Sequence, residues 1–163
     1  MRQQAGYTYV VLLIATVTVM ASAAITARVS SQLQQRALEQ ELLFRGEQFR
    51  QAIQSYYMTG LPRRLPRRLE DMLEDPRFVK VRHLRKIWSD PMTKDSTDWT
   101  ILRDGTGGII GVASRDTRKP IKTKGFSKHL QHFEEAQSYQ DWTFVFKPEE
   151  MEVRRPTTRR FFP

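Results

Sequence analysis

Two histidines and a glutamate stand at helical spacing in the 163-residue chain: His129, His132 and Glu135. On a helix over residues 127–137 they would present two imidazoles and a carboxylate to one zinc ion, the ligand set of a small metal-dependent hydrolase. Packing explains the same pattern, because Leu130, Phe133 and Ala136 would face inward and leave the polar residues solvated. Asp90, Asp95 and Asp98 bring three carboxylates into one short stretch and could supply oxygen ligands to calcium. Lys94 intrudes among them and the spacing is not that of an EF-hand, so turn and capping roles are the plainer account. His83 is isolated, with no serine and acid in recognisable context. Cysteine is absent, which removes disulfides, thiolate metal sites and thiol nucleophiles. No cofactor is implied, and the chain does not read as an enzyme.

A net charge of +9 permits contact with lipid headgroups, nucleic acid or acidic proteins. The basic residues gather in two runs: Arg63, Arg64, Arg67 and Arg68, then Arg118, Lys119, Lys122 and Lys124. These eight form the candidate surface for an anionic partner. A solvated surface is the competing account, with Glu70, Asp71, Glu74 and Asp75 close by in sequence. Aromatic residues are not interleaved with the runs, so nothing supports a stacking platform for single-stranded nucleic acid. The glycine-rich segment 104–108 lacks the Gly-Lys-Ser/Thr ending of a phosphate loop and falls between two predicted strands, which makes it a hairpin turn.

The elements that would position these residues begin with an apolar run. No charge occurs between residues 3 and 27, and residues 7–25 would span roughly 28 Å as a helix, close to the thickness of a bilayer core. Thr8, Thr16, Thr18 and Ser22 are tolerable there because a hydroxyl can bond the carbonyl one turn earlier. Two other accounts exist. One is a buried core helix. The other is a cleaved export signal, with Arg2 before an apolar stretch and Ala21, Ser22 and Ala23 as the cleavage pattern. Arg28, Arg36 and Arg45 follow the run while Arg2 precedes it, so charge does not fix an orientation.

The order Arg2, Gln3, Gln4, Ala5, Gly6, then Tyr7, Thr8 and a long apolar helix resembles the leader of type IV pilins and type II secretion pseudopilins. The resemblance implies cleavage between Gly6 and Tyr7 by a prepilin peptidase, and methylation of Tyr7. It implies a subunit of the bacterial inner membrane, single-pass, with its C-terminal head in the periplasm. Its partners would be other pilin or pseudopilin subunits, an inner-membrane assembly platform, the prepilin peptidase and the lipid bilayer; nothing in the sequence supports nucleic acid as a further one. The family usually carries glutamate at the fifth mature position, and here that position is Val11. A minor, tip-associated or divergent subunit is the implication.

Beyond the apolar run, Leu38, Leu42, Phe49, Ile53 and Tyr56 continue a helical stripe, interrupted by Gly46 at a local cost of roughly 1 kcal/mol. Breakers at Gly60 and Pro62 end it. A short helix is predicted over residues 66–75 with Leu69, Met72 and Leu73 inward, and a further turn or two over 81–88. Strands are predicted over 99–102, 109–114 and 142–146, the last with Trp142, Phe144 and Phe146 on one face. The expected fold is α+β and pilin-like: a long N-terminal helix, membrane-embedded in its first half and amphipathic in its second, packed on a small antiparallel sheet of about three strands. The expected divisions are a leader over 1–6, a transmembrane helix over 7–27, an amphipathic continuation over 28–59, a globular head over 60–147 and a basic flexible tail over 148–163. The alternative is an exported periplasmic binding protein whose signal is removed and whose basic surface holds an anionic partner.

Overall fold

The computed structural model describes residues 4–93 and 99–148, with the side chains of residues 4–6 and 22–28 left aside. The chain forms two compact units, Met1–Leu38 and Glu39–Pro163. Helix α1 spans Gln4–Thr59. It stops just before Gly60, and Pro62 beyond lacks the N–H that another turn requires. In the first unit, the hydroxyl of Thr16 donates to the carbonyl of Leu13 (2.8 Å), and that of Thr18 to those of Ala15 (2.8 Å) and Ile14 (3.0 Å). Their polar atoms are therefore satisfied by the helix itself.

The second unit is α+β. Three antiparallel strands, β1 (Thr100–Arg103), β2 (Ile109–Ala113) and β3 (Thr143–Val145), lie in the order β1-β2-β3. Each sits within a residue or two of the position that the alternation predicts. The β1–β2 hairpin pairs Ile101 with Val112, and a register shift between Leu102 and Arg103 breaks the outer strand. Its turn is built by Asp104, whose Oδ1 accepts from the backbone N–H groups of Thr106 (2.9 Å) and Gly108 (2.8 Å). Gly107 takes φ +82°, a conformation that a side chain would oppose. The segment is a hairpin turn and not a phosphate cradle.

Alternation in β3 puts Trp142, Phe144 and Phe146 into the core, all buried. Phe144 lies opposite Val112 and meets α1 at Gly46. A Cβ at Gly46 would come within 2.3 Å of the Phe144 ring. The glycine that looks like a helix defect in the sequence is a notch that receives an aromatic ring. Gly111 serves the same residue from the other side, where a Cβ would meet the Phe144 carbonyl oxygen at 2.4 Å. Around this point Leu42, Phe49 and Ile53 of α1 are fully buried, with Phe49 edge-on to Trp99 at 5.4 Å. Behind Phe144, the Phe133 ring stands edge-on at 5.2 Å and stacks on Trp142 at 5.3 Å.

Three predicted helices are corrected. Over residues 66–75 only a 3-10 turn forms, Glu70–Met72. The Asp71 carboxylate accepts from the N–H groups of Arg67 and Arg68, both at 3.0 Å, and this local bonding competes with an α-helix. Met72 is buried as expected, while Leu69 and Leu73 are only half-buried. Residues 81–88 form no helix, because the N–H groups of His83 and Leu84 both reach the carbonyl of Met72. The 127–137 segment is a 3-10 helix, Lys128–Glu135, with Leu130 and Phe133 buried and Ala136 half-buried.

The Gly46 notch is testable by equilibrium denaturation. At an open helical site Gly→Ala stabilises by about 1 kcal/mol. Gly46→Ala is expected to destabilise instead, by about 1–3 kcal/mol, because the core must open around Phe144. A stabilised Gly46→Ala protein would refute the notch.

Candidate functional site

Gly6, Tyr7 and Val11, the residues that the resemblance would assign to processing and assembly, lie on α1. In the uncut chain the Gly6–Tyr7 bond falls near the helix start, and Tyr7 is 75 % exposed. Val11, at the position where the resemblance expects glutamate, is also exposed, and so is every other described side chain of residues 7–21. The large apolar ones include Tyr9, Leu12, Leu13, Ile14, Val17 and Met20. Among the described residues no helix is long and apolar enough to cross a membrane. The remainder of the predicted 7–27 span is residues 22–27, whose side chains lie outside the described set.

In the head, the histidines weighed as zinc ligands are turned to separate partners. His129 Nε2 pairs with Glu47 Oε2 at 3.1 Å, while His132 Nε2 faces the Thr143 carbonyl at 3.2 Å. Each imidazole is thus tied to a different element, and no group of three potential metal ligands occurs among the described residues. Glu47 also receives Arg50 Nη2 at 2.6 Å. Burial pushes the Glu47 carboxyl up, and its bonds from Arg50, Gln51 and His129 outweigh that and hold it below the usual range. A cavity of about 830 Å³ lies on this side, with Arg50, Lys128, His129, His132 and Lys147 in its lining.

Of the three carboxylates weighed as calcium ligands, only Asp90 is among the described residues. Asp90 is buried, and both its oxygens accept protein hydrogen bonds. Oδ1 takes the Met92 N–H (2.9 Å); Oδ2 takes the Ser114 hydroxyl (2.7 Å) and the Arg115 N–H (3.2 Å). Asp90 fastens the segment before β1 to the end of β2. Asp95 and Asp98 lie outside the described residues, as does the tail from residue 149.

The eight basic candidates differ in what they touch and in how far they are exposed. Arg118 is committed to Asp116 at 2.6 Å and reaches the Met92 carbonyl. The Asp116 contact raises the Arg118 guanidinium above its ordinary value. Lys122 sets its ammonium 5.0 Å from the Phe126 ring and its N–H on Glu39. Arg63 approaches the Tyr57 ring at 5.9 Å. Arg64, Arg67, Arg68, Lys119 and Lys124 are exposed.

Sequence reasoning missed two buried carboxylates. Glu39 is 3 % exposed, and its Oε1 accepts from the Ile121 N–H (2.6 Å), the Lys122 N–H (3.2 Å) and the Tyr139 hydroxyl (2.9 Å). The partners stand 82 to 100 positions along the chain, too far for any local pattern to reveal. Asp75 is fully buried, and Arg77 grips both its oxygens while donating to the Tyr56 carbonyl at 2.7 Å. His83, isolated in the sequence, joins this group: its Nε2 lies 3.1 Å from Asp75 Oδ2 and its Nδ1 2.8 Å from Ser55 Oγ. Serine, histidine and aspartate thus fall in the order of a nucleophilic triad. The Arg77 fork neutralises Asp75, which leaves it a weak partner for an imidazolium. The line works as a clamp of the 75–83 loop on α1.

No known family model, curated protein or solved structure matches the chain.

Hydrogen bonds from Arg77, helped by His83, hold the Asp75 carboxyl at about 2, against an ordinary 3.8. A carboxyl depressed in the folded state contributes stability above its unfolded pKa and loses it as pH falls toward the folded value. The contribution, about 2 kcal/mol, should therefore be present above pH 4 and vanish between roughly pH 4 and 2. Urea midpoints of wild type and Asp75→Asn should differ at pH 6 and converge toward pH 2. A gap that does not change with pH would remove the ion pair as its cause.

Proposed function

We propose that the chain is a membrane-anchored structural subunit of pilin or pseudopilin type, held by the first part of α1 and assembling through helix packing. The observation that carries this reading is the unbroken exposure of apolar side chains over residues 7–21. Fully covering a Val, Leu or Ile side chain is worth about 1.5–3 kcal/mol. A helix that shows ten large apolar or aromatic residues to solvent along this stretch therefore calls for a lipid or protein environment. The back-bonded hydroxyls of Thr16 and Thr18 suit a medium that offers no water to polar groups.

The pilin assignment rests on Gly6 before that segment and Tyr7 at its start, and on a small α+β head that packs its sheet against the second part of the same helix. The role is mechanical: to polymerise or prime polymerisation and to present the head. Val11 in place of the usual carboxylate favours a minor or divergent subunit in a secretion or pilus machine. A carboxylate at that depth needs a partner; valine needs none and forms no such pair. The exported-protein alternative requires an accessible, extended segment at residues 21–23, and α1 runs through it as a helix.

Mass spectrometry of the mature N-terminus, in cells with an active prepilin peptidase, discriminates the readings. Methylated Tyr7 is expected. A mature chain that begins at Ala24 would favour the export signal, and an uncut chain would sink the pilin reading.

A further inference from the structure

Two loops meet at the end of the head where α1 stops. Arg77 joins them: its Nη2 bonds the Tyr56 carbonyl, its guanidinium lies 3.8 Å from the Tyr56 ring, and Gly60 sits against its Nη1, where a Cβ would approach to 2.5 Å. Residues 58–61 and 77–79 are thereby brought to one place. Both present apolar side chains outward. Leu61 is 91 % exposed and Val79 88 %, with Met58 and Phe78 also exposed. The turn is held by the Phe78 N–H on the Asp75 carbonyl and by Lys80 at φ 61°.

The same stretch is basic. Between residues 58 and 82 stand five arginines besides Arg77, together with Lys80, against Glu70, Asp71, Glu74 and the Asp75 that Arg77 neutralises. Asp71 is turned onto the N–H groups of Arg67 and Arg68. Arg64, Lys80 and Arg82, on the loops that carry the apolar tips, are exposed.

We propose that this end of the head docks on an anionic phospholipid surface. Separate apolar tips on two turns suit shallow insertion between acyl chains, and flanking cations suit the phosphates above them. Nucleic acid would use the cations, but the two most exposed tips, Leu61 and Val79, are aliphatic and offer no ring for bases to stack on. The surface belongs to the head and does not depend on what residues 7–21 do.

The chain has no cysteine, so a single introduced thiol reports its own surroundings. The full chain carrying Val79→Cys, labelled with an environment-sensitive fluorophore, is placed in phosphatidylcholine nanodiscs and mixed with phosphatidylglycerol vesicles. A several-fold emission rise with a blue shift is expected, quenched by lipids brominated in the acyl chain. It should be absent with phosphatidylcholine vesicles, and weakened several-fold by Leu61→Ser or by Arg64→Glu with Lys80→Glu. The same label at Lys124→Cys should stay unchanged. No response at position 79, or an equal response at position 124, would overturn the proposal, the latter marking general adsorption of a cationic protein. A rise that follows protein concentration without vesicles would also overturn it, in favour of a second copy as occupant. Failure of the anchor reading shows separately, as protein that does not co-elute with the nanodiscs.

Discussion

The packing of the Phe144 ring into α1 at Gly46 sets how closely helix and sheet can approach. Everything else in the head is arranged around that distance. Gly111 lets the neighbouring strand lie flat behind Phe144, and Trp99 and Phe133 close on it from two sides. Trp142 then stacks on Phe133. A core built from so few strands depends on large flat side chains that interlock, since three short strands cannot bury enough aliphatic surface. The cost of glycine in mid-helix is offset by the packing it admits.

Much of the head is neither helix nor strand, and its loops need partners for their backbone N–H groups. Three buried carboxylates supply them. Glu39 receives the 121–122 segment, Asp75 the 77 turn, and Asp90 the chain at Met92 and Arg115. Each sits on or beside an ordered element and draws a loop toward it. In a chain without cysteine these contacts fix loop positions where other small domains use disulfides. Hydrogen bonds from backbone N–H groups offset the cost of burying a carboxylate, and at Asp75 and Asp90 both oxygens accept them or an arginine.

What was legible in the sequence follows from what is local. Alternation located the strands, with Trp142, Phe144 and Phe146 on the inner face, and the breakers at Gly60 and Pro62 marked the end of α1. Gly46 was legible as an exception but not as a notch, because its reason lies nearly a hundred residues away at Phe144. Glu39 stood among polar residues of an amphipathic helix and gave no sign of burial. The residues 66–75 and 127–137 carried helical periodicity, but side-chain bonding at Asp71 and the tight turn that seats Phe133 left 3-10 geometry in both. His129, His132 and Asp90 were recognised as polar residues at suggestive spacing. Spacing cannot tell a ligand from a residue already spoken for by Glu47, Thr143 or Ser114. Gly6, Tyr7 and Val11 were read through a resemblance alone, because no packing or hydrogen-bond pattern in the sequence singles them out.

The strands themselves are four, five and three residues long, and the outer one is broken by a register shift beside Arg103. Short, kinked margins with a cation at the break make a poor template for another chain to extend. Two copies of such a domain brought side by side at high concentration would not zip together through their backbones.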